Sequence, residues 1–149
     1  MNIWTEQLLR QHLPMLEHWL NRTGGKLTSN DLPEKAEMLS EWFGQRAQAD
    51  YLISVYETPV GVGGLREDEF YLFLGEVGYN LIRTATYATL RILDQAFIKL
   101  DTVTAWVYSD HKEYLSALKT MGFSQVDEKD DLIRVSVQKR ELGSRKYLF

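Results

Sequence analysis

Asp110 and His111 stand side by side, a carboxylate next to an imidazole. Such a pair can take up a proton near neutral pH, because imidazole titrates there. A histidine at the start of a helix is more often a surface residue, and a helix is expected to begin here. His12 and His18 lie far upstream, so the three histidines give no metal-ligand spacing and no metal is assigned. The chain has no cysteine, which excludes disulfides, thiolate metal sites and a cysteine nucleophile. Trp19, Trp42 and Trp106 read as core or as cleft walls rather than as a ligand cage. Arg145 and Lys146, followed by Tyr147, Leu148 and Phe149, could meet an acidic partner or a membrane. A final strand extension or a frayed end is the better account of that tail.

The elements that must hold these groups are written in hydrophobic periodicity. Residues 102–108 alternate as a buried strand, and a helix follows with Tyr114, Leu115, Leu118 and Met121 on the side that carries His111. Asp110 and Glu113 have the spacing of a capping box, and Gly122 suits the helix stop. Residues 123–127 and 132–139 then form a hairpin across 128–131. Upstream, Thr86, Leu90, Leu93, Phe97 and Leu100 make one apolar stripe on a helix over 84–100, with Arg91, Asp94, Gln95 and Lys99 facing away. Residues 51–56 and 60–65 read as strands around a turn at 57–59. Residues 70–74 and 76–82 both have strand character around Gly75, as one bulged strand or two.

Nearer the N-terminus, Leu13, Leu16, Trp19 and Leu20 follow helical spacing, with Pro14 at the helix start. Residues 3–9 fit a short strand or a first helical turn. Residues 21–29 read as loop, with Gly24 and Gly25 as the stop. Asp31 and Glu34 have capping-box spacing before a helix that turns Met38, Leu39, Trp42 and Phe43 to one side. The order is helix, helix, strands, helix, strand, helix, hairpin: an α/β fold with a mixed central sheet flanked by helices. The segment from Glu76 to Tyr108 is expected to be a right-handed parallel crossover.

The 149 residues match one ordinary domain, expected to span 1–149. Composition, at 44% hydrophobic and 26% charged, is that of a soluble globular protein. A net charge of −4 argues against a general nucleic-acid-binding role. No segment is apolar and long enough to span a bilayer, and no signal-like run opens the chain, so a cytoplasmic protein without membrane association is expected. The oligomeric state is open, a homodimer being one option.

Local wording resembles the Gcn5-related N-acetyltransferase (GNAT) superfamily over nearly the whole chain. Leu9, Arg10, Leu13, Pro14, Met15, Leu16, Trp19 and Leu20 are similar to the opening of its ribosomal-protein and aminoglycoside branches. Pro59 through Leu65 looks like its second-to-third strand segment. Glu76, Val77, Gly78 and Tyr79 are similar to its fourth strand, and Ala85 through Phe97 to its coenzyme-side helix. Met121, Gly122 and Phe123 match its helix ending.

The resemblance implies a GNAT-like acyl-CoA N-acyltransferase fold that moves an acetyl group from acetyl-CoA to a primary amine of an unknown acceptor. It places pantetheine between splayed fourth and fifth strands, along Gly75 and Val77. It places the pyrophosphate over Arg83, Thr84, Ala85 and Thr86, where free N–H groups and the helix dipole favour an anion. The family's loop glycine is lost: alignment from the helix puts Arg83 at the first glycine position, as a phosphate clamp or as an obstruction, and alignment from Glu76 through Tyr79 instead shortens the loop. Glu76 is the implied base. The family's tyrosine acid aligns with Leu118; Tyr114, one turn earlier on the same face, is the candidate substitute, a packed tyrosine being the better account. Lys112 stands where an asparagine is usual. The alternative is a non-catalytic GNAT-like domain used for protein or small-ligand binding.

Overall fold

The computed structural model describes residues 3–20, 26–29, 38–44, 50–75 and 81–142. Seven strands form one sheet in the order β1-β2-β3-β4-β5-β7-β6. They are β1 (Ile3–Gln7), β2 (Asp50–Val55), β3 (Thr58–Arg66), β4 (Glu69–Leu74), β5 (Thr102–Tyr108), β6 (Ser124–Lys129) and β7 (Leu132–Gln138). Every pairing is antiparallel except β4 with β5, so the sheet is mixed as expected. The open question at the N-terminus resolves as a strand, with Ile3 buried and Trp4 exposed.

Helices α1 (Leu13–Trp19) and α2 (Leu39–Gly44) supply one core through Leu13, Leu16, Trp19, Leu39 and Trp42. That core covers Leu52, Val62, Tyr71 and Phe73 of the sheet. The other core is built on α3 (Leu81–Ala96) and α4 (Lys112–Met121), and it holds Phe70, Leu72, Leu74, Val103, Ala105 and Val107. The alternation along β4 therefore divides its side chains between two buried layers, while β5 buries Val103, Ala105 and Val107 on one face. Leu90, Leu93 and Phe97 of the expected stripe are buried, while Arg91, Gln95 and Lys99 face solvent.

Several boundaries differ from the sequence reading. Helix α3 starts at Leu81, so Leu81 and Ile82 are helical and not strand. The strand beside β5 is Glu69–Leu74, and Glu76 through Tyr79, likened to a fourth strand, lie outside the described residues. The β2–β3 turn falls on Tyr56 and Glu57, both at positive φ (49° and 71°), and Pro59 is already in β3. Proline is tolerated there because β2 carries a register shift between Ile53 and Ser54, opposite it. Strand β6 runs on to Lys129, which tightens the hairpin turn. Met38 is exposed rather than packed. The Asp31 and Glu34 capping box lies outside the described residues.

Gly122 ends α4 at φ 119°, a left-handed cap that Met121 and Phe123 could not adopt cheaply. Gly75 has a different constraint. A Cβ there would overlap the indole of Trp19, and the Gly75 N–H donates to Val60 O at 2.7 Å. The glycine lets α1 lie close over the end of β4. Gly75→Ala is expected to destabilise the fold by about 1–3 kcal/mol, the usual cost of overpacking. Denaturant unfolding checks this, and an unchanged midpoint contradicts the packing account.

Candidate active site

Strands β4 and β5 begin as ordinary parallel neighbours. Glu69 pairs with Thr104, whose N–H donates to Asp68 O at 2.8 Å. Beyond this point the two strands part, and residues 26–29 lie between them. The Leu27 N–H donates to Leu72 O on β4 at 3.3 Å. Leu27 O accepts from the Tyr108 N–H on β5 at 3.2 Å, and the Ser29 N–H donates to Trp106 O at 2.8 Å. The Leu72 N–H donates to Thr28 Oγ1 at 2.8 Å. Lys26 and Thr28 make antiparallel bridges to Phe73 and Val107.

This strap is a short extra strand in the sheet, where the sequence reads only as loop. Its signal was hidden because its partners are remote; Thr28 and Leu72 are 44 positions apart. Leu27 and Thr28 are fully buried. Burial of Leu27 stabilises the strap by about 1.5–3 kcal/mol, and each hydrogen bond adds about 1 kcal/mol. The strap is therefore well held in the absence of a competitor.

The parted strands open towards the first turns of α3 and α4. A cleft of about 530 Å³ lies there, lined by residues 81–83 and 110–113. An adjoining cleft of about 340 Å³ is lined by Lys26, Tyr108, Ser109, Asp131 and the same Asp110 and His111. The first described turns of two helices thus border one cavity, and the positive ends of their dipoles favour an anion there. Arg83 is exposed at the rim, its guanidinium 5.7 Å from the Tyr87 ring centroid, and Lys112 is exposed opposite. His111 joins the two clefts: Nε2 donates to Lys26 O at 3.1 Å and lies 3.9 Å from Asp110 Oδ1.

The fold is shared with known proteins. The spermidine N-acetyltransferase of Vibrio cholerae, in complex with CoA and spermine, superposes with a TM-score of 0.76 at 16% identity, over 93% of this chain and 96% of that one. The N-acetyltransferase PseH of Campylobacter jejuni, in complex with acetyl coenzyme A, gives 0.64 at 19% identity, over 93% and 99%. A domain from Methanocaldococcus jannaschii gives 0.70 at 18% identity, over 92% and 98%. The chain has the GNAT fold. No protein-family model matches the sequence, and no curated protein matches it in sequence.

Within the GNAT fold the expected site residues separate. Glu76 and Val77 lie outside the described residues. Arg83 reaches the cleft, while Thr84 and Ala85 are buried and Thr86 Oγ1 donates back to Ile82 O at 2.8 Å. Helix α3 is described from Leu81, so Leu81, Ile82 and Arg83 lie in its first described turn and Ala85 and Thr86 lie further along it. The Asp110 capping box does not form: His111 is the N-cap and makes no side-chain cap bond. That leaves Asp110 on the cleft wall.

Tyr114 is placed in the core and not at the cleft. It has no exposed surface, and its hydroxyl lies 2.7 Å from Thr89 Oγ1 on α3. Burial pushes its pKa well above the usual tyrosine range, against a smaller opposing effect of the Thr89 hydrogen bond. A packed tyrosine was the better account of its place on the apolar helix face, and the inward turn of α4 gives it that role. Glu69 is a carboxylate on β4 that sequence reasoning passed over. Burial pushes its pKa up, Arg134 opposes this and Asp68 adds to it. It stands at the closed end of the gap, beside Thr104. Tyr114→Phe is expected to cost about 1 kcal/mol of stability through the lost Thr89 contact. Thermal unfolding measures this, and the same variant should bind coenzyme as the wild type does.

Proposed function

We propose that the protein is an acetyl-CoA-dependent N-acetyltransferase acting on a primary amine. The observation that carries this reading is the parting of β4 and β5 beside the first turn of α3. The first described turn of α3, with the Arg83 and Lys112 side chains, suits a pyrophosphate. An extended pantetheine arm then points towards Gly75, Tyr108 and His111. The neutral amine nitrogen bonds to the acetyl carbon, the carbon–sulfur bond breaks, and the thiolate leaves to be protonated. Backbone N–H groups along the gap are suited to the oxyanion that develops. Glu76, two residues past β4, is the proposed acceptor of the amine proton, directly or through water.

The bound spermine of the Vibrio cholerae structure makes a small polyamine a reasonable first acceptor to try. Titration with acetyl-CoA should give saturable binding. Arg83→Ala should weaken it by about 1.5–3 kcal/mol through loss of a charge-assisted contact. Unchanged or tighter binding identifies Arg83 as an obstruction. Glu76→Gln should lower turnover about a hundredfold or more with little change in coenzyme affinity. Unchanged turnover removes Glu76 from the mechanism.

One observation favours a second reading, a non-catalytic domain of the same fold: the gap is already filled by the strap. Under that reading acetyl-CoA does not bind at any concentration and no amine is acetylated.

A further inference from the structure

The polar edges that face each other across the β4–β5 gap are already in use. Among these edge groups, Leu72 N–H, Leu72 O, Trp106 O and Tyr108 N–H all bond to residues 27–29. An amide N–H has one proton to give. A ligand arm therefore cannot accept from Leu72 or Tyr108 while the strap is in place. Space imposes the same limit. Neighbouring strands stand about 4.8 Å apart, so a gap bridged by a single strand has width for one extended chain only. Leu27 and Thr28, both fully buried, also fill its depth.

Pantetheine is an extended chain with two amides, chemically close to a short peptide strand. We propose that residues 26–29 and the acyl-pantetheine arm of acetyl-CoA are alternative occupants of the same gap. The strap is an intrasteric inhibitor that the coenzyme must displace. This inference rests on the acetyltransferase reading above and adds a regulatory step to it. The pyrophosphate end of the site, at residues 81–83, is not covered by the strap, so coenzyme can dock there first. His111 bonds the strap at Lys26 O and lines both clefts, which puts the strap's outer end beside the arriving arm.

The consequence is quantitative. Observed affinity is the affinity of the open form divided by the reciprocal of its population, so loosening the strap must tighten binding. Thr28→Val keeps shape but removes the acceptor for the Leu72 N–H. Ser29→Pro removes the donor to Trp106 O. Both substituted residues lie outside β4, β5, α3 and α4.

Titration calorimetry with acetyl-CoA should show each variant binding about tenfold tighter than the wild type, with circular dichroism confirming the fold. Equal or weaker binding by folded variants, where the wild type binds, overturns the strap proposal and leaves the acetyltransferase reading standing. Binding by the variants alone supports the proposal in its strongest form. Failure of all three proteins to bind overturns both readings together. Hydrogen exchange of the wild type gives an independent check. Saturating acetyl-CoA should speed exchange at the Leu27 and Ser29 amides while the β2–β3 hairpin stays protected. Continued protection of Leu27 and Ser29 in the saturated protein overturns the proposal.

Discussion

Buried backbone N–H and C=O groups need partners, and the inner edges of β4 and β5 are where this fold leaves them exposed to demand. The two strands pair at Glu69 and Thr104 and then separate. β4 lies between two buried layers and β5 has one face in the core, so water is a poor partner there. Something extended must enter the gap. In this structure it is the strap, which satisfies both edges at once. The rest of the architecture follows from keeping that gap open and its walls fixed. Strands β3 and β7 hold the outer edges of β4 and β5 over their full lengths. Tyr71 on β4 donates to buried Asp50 at 2.5 Å, tying that strand to β2.

The same arrangement brings two helix starts to one cavity. Helix α3 follows β4 and α4 follows β5, so parting the strands leaves a cleft between the first turns of the two helices. Arg83 and Lys112 occupy its rim. Backbone donors alone serve an anion in a glycine loop; here side-chain cations stand beside them. Asp110 and Glu113 on the same wall moderate the positive field. Tyr114 illustrates the other half of the design. Its hydroxyl is spent on Thr89, which locks α4 to α3 and fixes the cleft's width.

Elements with strong local periodicity were legible in the sequence. Strand β5 has the expected bounds, α4 stops at Gly122, and the stripe of Leu90, Leu93 and Phe97 faces the core. Features set by distant partners were not. The strap has no amphipathic signature, because both its edges are claimed by strands far away in the chain. The β2–β3 turn was pulled towards Pro59, yet the chain turns at Tyr56 and Glu57, where positive φ carries no glycine marker. Gly75 was read as a break in strand character, and its immediate constraint is the indole of Trp19. The site was legible as a region at the β4–α3 junction, but its wall of Asp110, His111 and Lys112 emerges only when α4 is placed beside α3.

The central claim is that the space between β4 and β5 is the coenzyme's and that the strap holds it in the coenzyme's absence. A crystal structure of the full chain grown with saturating acetyl-CoA tests it most directly. The account predicts the pyrophosphate within hydrogen-bond reach of the Leu81, Ile82 and Arg83 amides. It predicts the pantetheine arm bonded to Leu72 and Tyr108, with residues 26–29 withdrawn from both strands. Coenzyme bound outside the gap, with Leu27 still paired to Leu72 and Tyr108, would contradict it.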